Sequence, residues 1–162
     1  MTIDEIIDFV TGLDSVLTLR PGPEDGSPEI AWGDIFFYYS PSGVVPTTTQ
    51  PFATIVTKNY PGDEQSGLDR PDAFRVNIAV GKELFVRWTG HAPRDTDPAT
   101  DFTVTDTVLP HPVYASAGWL AVVRPGPRTE ETVRELLRSA YDRARSRHDR
   151  RAGSSGDRHH DR

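Results

Sequence analysis

His111 is the residue most suited to chemistry, because Pro110 and Pro112 flank it and Tyr114 follows three positions later. Proline fixes its own backbone angle and restricts the residue before it, so the stretch is held extended and keeps the ring in place. An imidazole beside a phenol could serve as a general base or donate a ligand bond, since its charge changes near neutral pH. The same ring could equally bond the backbone and pack a loop. Asp34 follows Trp32 and Gly33 and leads into a hydrophobic run, so it is either a buried, perturbed carboxylate or an acceptor for a neighbouring turn. Lys58, Asn59 and Tyr60 stand where an apolar stretch ends, a place where grafted sites tend to sit, although Asn59-Tyr60-Pro61-Gly62 also reads as plain turn chemistry. Together Trp32, Asp34, Lys58, Tyr60, His111 and Tyr114 make a candidate binding rim of polar groups among aromatic rings.

Other chemistries lose their usual signatures. There is no G-x-G-x-x-G, no phosphate-binding P-loop and no G-x-S-x-G elbow. The chain has no cysteine, which removes disulfides, thiolate nucleophiles and Cys-ligated metal centres. Its histidines, His91, His111, His148, His159 and His160, show no H-E-x-x-H spacing. The adjacent pair at the end has no second shell to orient it. Asp95, Asp97 and Asp101 lack the glycine and distal glutamate of a calcium loop, and Pro98 interrupts them, so they read as a solvated acidic loop. No cofactor and no metal site is expected.

At 162 residues the chain is long enough for one domain and a short appendage. Hydrophobic residues make up 36% and charged residues 26%, a globular composition. No apolar run is long enough to span a bilayer, and Asp4, Glu5 and Asp8 stand where a secretory signal needs basic residues, so a cytoplasmic protein is expected. The net charge of −6 is unevenly spread: residues 1–127 hold 8 Lys/Arg against 17 Asp/Glu (−9), and residues 128–162 hold 10 against 7 (+3). An acidic body repels a phosphate backbone, which makes nucleic acid an unlikely partner.

The elements that must position the rim can be read from periodicity. Thr2 and Glu5 have capping-box spacing ahead of Ile3, Ile6, Ile7 and Val10, a helix that Gly12 stops. Strands are predicted at Val16 to Leu19, Ile30 to Tyr39, Phe52 to Lys58, Phe74 to Val80 and Gly118 to Val123, with a further extended segment at Thr103 to Leu109. In Phe74 to Val80 apolar residues alternate with Arg75, Asn77 and Ala79, so one face is buried and Asn77 faces solvent or a shallow groove. Asp69 and Arg70 could pair to support the turn before it. Lys82 to Thr89 reads as a short helix. Thr129 suits an N-cap, and Val133, Leu136, Leu137, Ala140, Tyr141 and Ala144 form the stripe of a long last helix. From 148 to 162 the stripe is gone and a disordered polar tail is expected, leaving 1–147 as the single domain. The fold class is α+β, an antiparallel sheet of about five to six strands packed by N- and C-terminal helices.

The strings Ala31-Trp32-Gly33-Asp34-Ile35-Phe36-Phe37-Tyr38-Tyr39, Phe52 through Pro61, Leu68-Asp69-Arg70-Pro71, Arg75 through Gly81 and Leu109 through Tyr114 resemble the actinobacterial domain of unknown function 6194 over about residues 1–147. That resemblance implies a cytoplasmic bacterial protein and carries over no catalytic residue. The Gly118-Trp119 strand and the acidic-capped helix ending near Tyr141 are more distantly similar to MmcQ/YjbR-like proteins. Their CyaY-like α+β arrangement and suggested DNA binding are what that likeness implies.

Three functions compete. The first is a small soluble binding module for a metabolite or protein, using the rim. The second is an enzyme with His111 as general base and Asp34 or Tyr114 as its partner. The third is a nucleic-acid-associated protein using the Arg-rich last helix and tail. The missing motifs favour the first. The ligand, the oligomeric state, the strand order and the convergence of the rim do not follow from sequence.

Overall fold

The structure is a computed structural model that describes residues 1–160, with side chains through Gly153, so His159 and His160 lie outside the described side chains. The first helix, α1 (Ile3–Thr11), begins at the expected box: the Thr2 hydroxyl accepts from the Glu5 amide and the Glu5 carboxylate accepts from the Thr2 amide. Gly12 ends it. The chain then meanders through β1 (Val16–Leu19), β2 (Ile35–Tyr39), β3 (Ala53–Val56) and β4 (Arg75–Ala79), passes through α2 (Lys82–Thr89), and forms β5 (Leu109–Pro110) and β6 (Trp119–Val123). The strand order is β1-β2-β3-β4-β6-β5, every neighbouring pair antiparallel. With α3 (Glu130–His160) this is an α+β fold built on a six-stranded antiparallel sheet.

Register explains where the core lies. Ile35, Ile55, Val76 and Val122 stand opposite one another across four strands, and so do Phe37, Ala53, Ile78 and Leu120. Because side chains alternate along a strand, these two rows point to one face. That face is covered by Ile6, Ile7 and Val10 of α1, Phe85 of α2 and Val133, Leu136, Leu137, Ala140 and Tyr141 of α3, in one buried cluster. The stripes read from the sequence are therefore the ones the core uses.

The other face carries Phe36, Thr54, Asn77 and Ala121 in one row and Val56, Arg75 and Val123 in the next. Among the described residues no long helix packs there. Leu68 and Ala73 from the loop after β3 cover one end with Val56 and Val123, and the middle is left as a concavity.

Three local expectations are corrected. Ile30 to Tyr39 is not all strand: Glu29–Ala31 forms a 3₁₀ turn, and pairing begins only at Ile35. Thr103 to Leu109 is not one continuous strand: Thr105 makes an isolated bridge to Val123, Asp106 then takes a positive φ of 52° and turns its carboxylate to the start of α3, and ladder pairing resumes at Leu109. There it accepts from the amides of Gly126, Arg128 and Thr129 and from the Thr129 hydroxyl, so the cap comes from Asp106 while Thr129 donates. Arg70 does not pair with Asp69; its guanidinium binds the carbonyls of Ser66, Gly67 and Thr103. The last helix, α3, runs to His160. The last residue packed on the core is Ala144, beyond which His148 lies edge-on to Tyr39 at 5.3 Å and residues 149–153 are exposed.

Candidate functional site

The floor of the concavity is a charged network built from β4. The Arg75 side chain is 2% exposed, and all of its nitrogens are engaged. Its Nε donates to Asn77 Oδ1 at 2.7 Å, Nη1 donates to Asp63 Oδ1 at 2.9 Å and Ser66 Oγ at 3.0 Å, and Nη2 donates to Asp63 Oδ2 at 2.6 Å. Asn77 passes the network on to Thr54 Oγ1 on β3 at 2.9 Å. A two-point Arg–carboxylate pair of this kind fixes geometry as well as charge. Burial works to raise the Asp63 carboxyl, but the hydrogen bonds and charge of Arg75, with a smaller pull from His111, hold it below the usual carboxylate range.

His111 completes the floor. It is 3% exposed, and its Nε2 lies 3.2 Å from Arg75 Nη2. Its own amide donates to the Trp119 carbonyl, continuing the β5–β6 ladder. The chain then turns so that the amides of Val113 and Tyr114 both donate to His111 Nδ1, each at 3.0 Å. Burial first, and then the positive charge of Arg75, depress the ring to a pKa of about 3, with Asp63 opposing only in part. The imidazole is therefore neutral at physiological pH, and two amides on one nitrogen make that nitrogen the acceptor.

Aromatic rings make the walls. Tyr114 is centred 4.9 Å from His111, and Trp119 lies 6.3 Å from the same ring. Phe36, Tyr38 and Tyr60 line the opposite side, and the groove has a volume of about 640 Å³. Cavities of roughly 300–1,000 Å³ with apolar walls and a few fixed polar groups are the usual form of a small-molecule site.

The six rim residues divide into two groups that meet at Tyr60. Asp34 is 1% exposed, and both its oxygens are used: Oδ1 accepts from the Thr57 amide and hydroxyl and from Lys58 Nζ, and Oδ2 accepts from the Tyr60 hydroxyl. Lys58 Nζ also donates to the Trp32 carbonyl at 2.6 Å, and the Trp32 indole donates to Ser27. Trp32, Asp34 and Lys58 thus form a clamp between the turn before β2 and the end of β3, and the clamp sets Tyr60 at the groove. Burial, then the hydrogen bond and charge of Asp34, push the Tyr60 phenol well above its ordinary value, so it stays protonated. Tyr60, His111 and Tyr114 line the groove. Asp34 bonds none of the His111 ring atoms and is not its partner.

The rim expectation missed Arg75, Asp63 and Ser66. The signal for Arg75 was present, since Arg75 and Asn77 occupy successive positions of one strand face. What makes that face a floor is Asp63, twelve positions away on a loop, and His111, thirty-six positions away. Among the described residues no group of three or more His, Asp or Glu is placed to hold a metal ion.

A family model described as a family of unknown function, DUF6194, matches residues 1–153. The chain belongs to that family. No curated protein and no solved structure matches it. The family match extends six residues beyond the span expected from the recognised strings, and every residue of the groove lies inside it. The MmcQ/YjbR-like relationship expected from the last strand and helix gains no support from these comparisons.

Proposed function

We propose that the protein is a binding module for a small, flat organic molecule held in the groove on the uncovered face of the sheet. The observation that carries this reading is the groove's construction: a buried, fully connected polar floor of Arg75, Asp63, Asn77 and Thr54 beneath walls of Tyr60, Tyr114 and Trp119. Buried polar groups tied to one another by several hydrogen bonds hold one geometry, and a rigid floor loses little entropy when a ligand is bound. Aromatic walls favour a planar ligand, because offset or edge contacts with rings add to the burial of area.

The geometry supports an enzyme less well. A general base needs a free lone pair, and His111 Nδ1 spends its own on two amides while burial keeps the ring a weak base. Nucleic acid fits less well too, since two arginines of α3 are paired along the helix, Arg134 with Glu130 and Arg138 with Asp142, and residues 1–127 carry 17 Asp/Glu against 8 Lys/Arg.

The three indole N–H signals provide the test. Trp119 lines the groove, Trp32 is tied to Ser27 in the clamp, and Trp88 is exposed on α2. A panel of ring-containing metabolites, each added to the full chain at about 1 mM so that even millimolar dissociation constants register, is expected to shift Trp119 with little change at Trp88. A Trp119 signal that stays still across the whole panel would overturn the reading.

A further inference from the structure

The His111 ring is set among donors on both sides. Val113 and Tyr114 present amide hydrogens to Nδ1, and Arg75 presents a guanidinium nitrogen to Nε2 at 3.2 Å. A neutral imidazole carries one proton, and an arginine has no acceptor. Two amides on Nδ1 assign that proton to Nε2, so the contact between Nε2 and Nη2 joins two N–H groups. Each of them is buried, and each needs an acceptor that the other cannot supply. The remaining nitrogens of Arg75 are committed to Asp63, Ser66 and Asn77. Both residues line the groove, so the acceptor that answers them comes from the groove side.

We infer that the ligand of this groove is a neutral planar molecule bearing a carbonyl-type oxygen, which accepts jointly from His111 Nε2–H and Arg75 Nη2–H. The inference rests on the groove being a small-molecule site. An oxygen about 2.9 Å from each nitrogen bridges donors 3.2 Å apart without moving either. A water molecule can hold the same position between binding events, and a carbonyl that replaces it reproduces its hydrogen bonds and retains the affinity gained from ring contacts. Neutrality follows from the charges. Asp63 and Arg75 are the charged side chains of the lining, and they cancel each other in a two-point pair. The surrounding body is acidic, with 17 Asp/Glu against 8 Lys/Arg over residues 1–127, so a carboxylate would enter without a free cation to meet it.

One ring with four substituents tests this: benzamide, benzoate, benzylammonium and toluene, titrated into the full chain labelled with ¹⁵N at histidine and tryptophan. In the free protein the proton is expected on Nε2 of His111; a proton on Nδ1 would overturn the inference before any ligand is added. Benzamide is expected to shift both the Trp119 indole and the His111 Nε2–H signals and to bind about tenfold tighter than toluene or benzylammonium, the worth of one or two matched hydrogen bonds. If benzamide and toluene shift Trp119 alike while Nε2–H is unmoved, the groove is a binding site and the acceptor assignment is wrong. Tighter binding of benzoate than of benzamide would overturn neutrality. If none of the four shifts Trp119, this inference fails, while the groove itself stands or falls on the wider metabolite panel.

Discussion

Two backbone amides hold the His111 ring where a proton is costly, and the consequence is a pH dependence with a definite sign. An unfolded histidine titrates near 6.5, and the folded ring does so at about 3. Between those values the unfolded chain binds a proton that the native protein refuses, so stability falls as pH drops through that window. One proton sets the limiting slope at about 1.4 kcal/mol per pH unit. Asp63, held low by Arg75, acts in a more acidic window: its contribution is present above the ordinary carboxylate value and is lost as pH falls through its depressed one. Urea denaturation at pH 7, 6 and 5 is therefore expected to show a loss of about 1 kcal/mol per unit below pH 6. His111→Asn, which keeps an acceptor for the amides, is expected to flatten that slope while starting from lower stability at pH 7. Parallel slopes for the two proteins would mean that the native ring takes the proton.

At the scale of elements, the joint between the loop before β5 and α3 depends on one carboxylate. Asp106 accepts from three amides and a hydroxyl at 2.6–3.0 Å, and it does so from a left-handed conformation that few residues adopt willingly. Asp106→Ala removes the cap and retains the strain, so a loss of about 2 kcal/mol is expected. Asp106→Asn tolerates the same backbone and keeps one acceptor, so about half that loss is expected. Denaturant midpoints with unchanged slopes would register both; equal losses would assign the whole effect to the charge. The same joint shows which parts of the fold can be read in a chain. The capping box of α1, the stripe of α3 and the alternation of Val76 and Ile78 against Arg75 and Asn77 are local patterns, and each appears in the structure as written. The cap of α3 spans more than twenty residues, which no local pattern records. For the candidate site, His111 was legible because two prolines isolate it. The floor beneath it was not, because an arginine on an alternating strand looks like a solvent-facing one until Asp63 and His111 are brought over it.

For the whole molecule, what matters is that the helices cover one sheet face and leave the other to loops. The groove walls come from residues between Phe36 and Trp119, and the helical layer that supports the sheet ends with the last turn of α3 packed on the core. Arg143 belongs to that turn: its guanidinium donates to the Ala79 carbonyl at 2.9 Å and lies so close over Gly81 that a Cβ there would stand 2.7 Å from it. Beyond Ala144, the ring of His148 against Tyr39 is a single edge contact, with 149–153 exposed. No described helix is long and apolar enough to cross a membrane. A chain stopped after Arg147 is therefore expected to melt within about 2 °C of the full protein, since surface changes are worth about 0.5 kcal/mol or less. A chain stopped after Asp142 loses the Arg143 bond and the Ala144 packing, and is expected to melt at least about 5 °C lower. Scanning calorimetry of the three lengths locates the end of the cooperative unit. A large drop on stopping after Arg147 would place residues 148–153 within that unit, and the groove would then need the whole of α3 behind it.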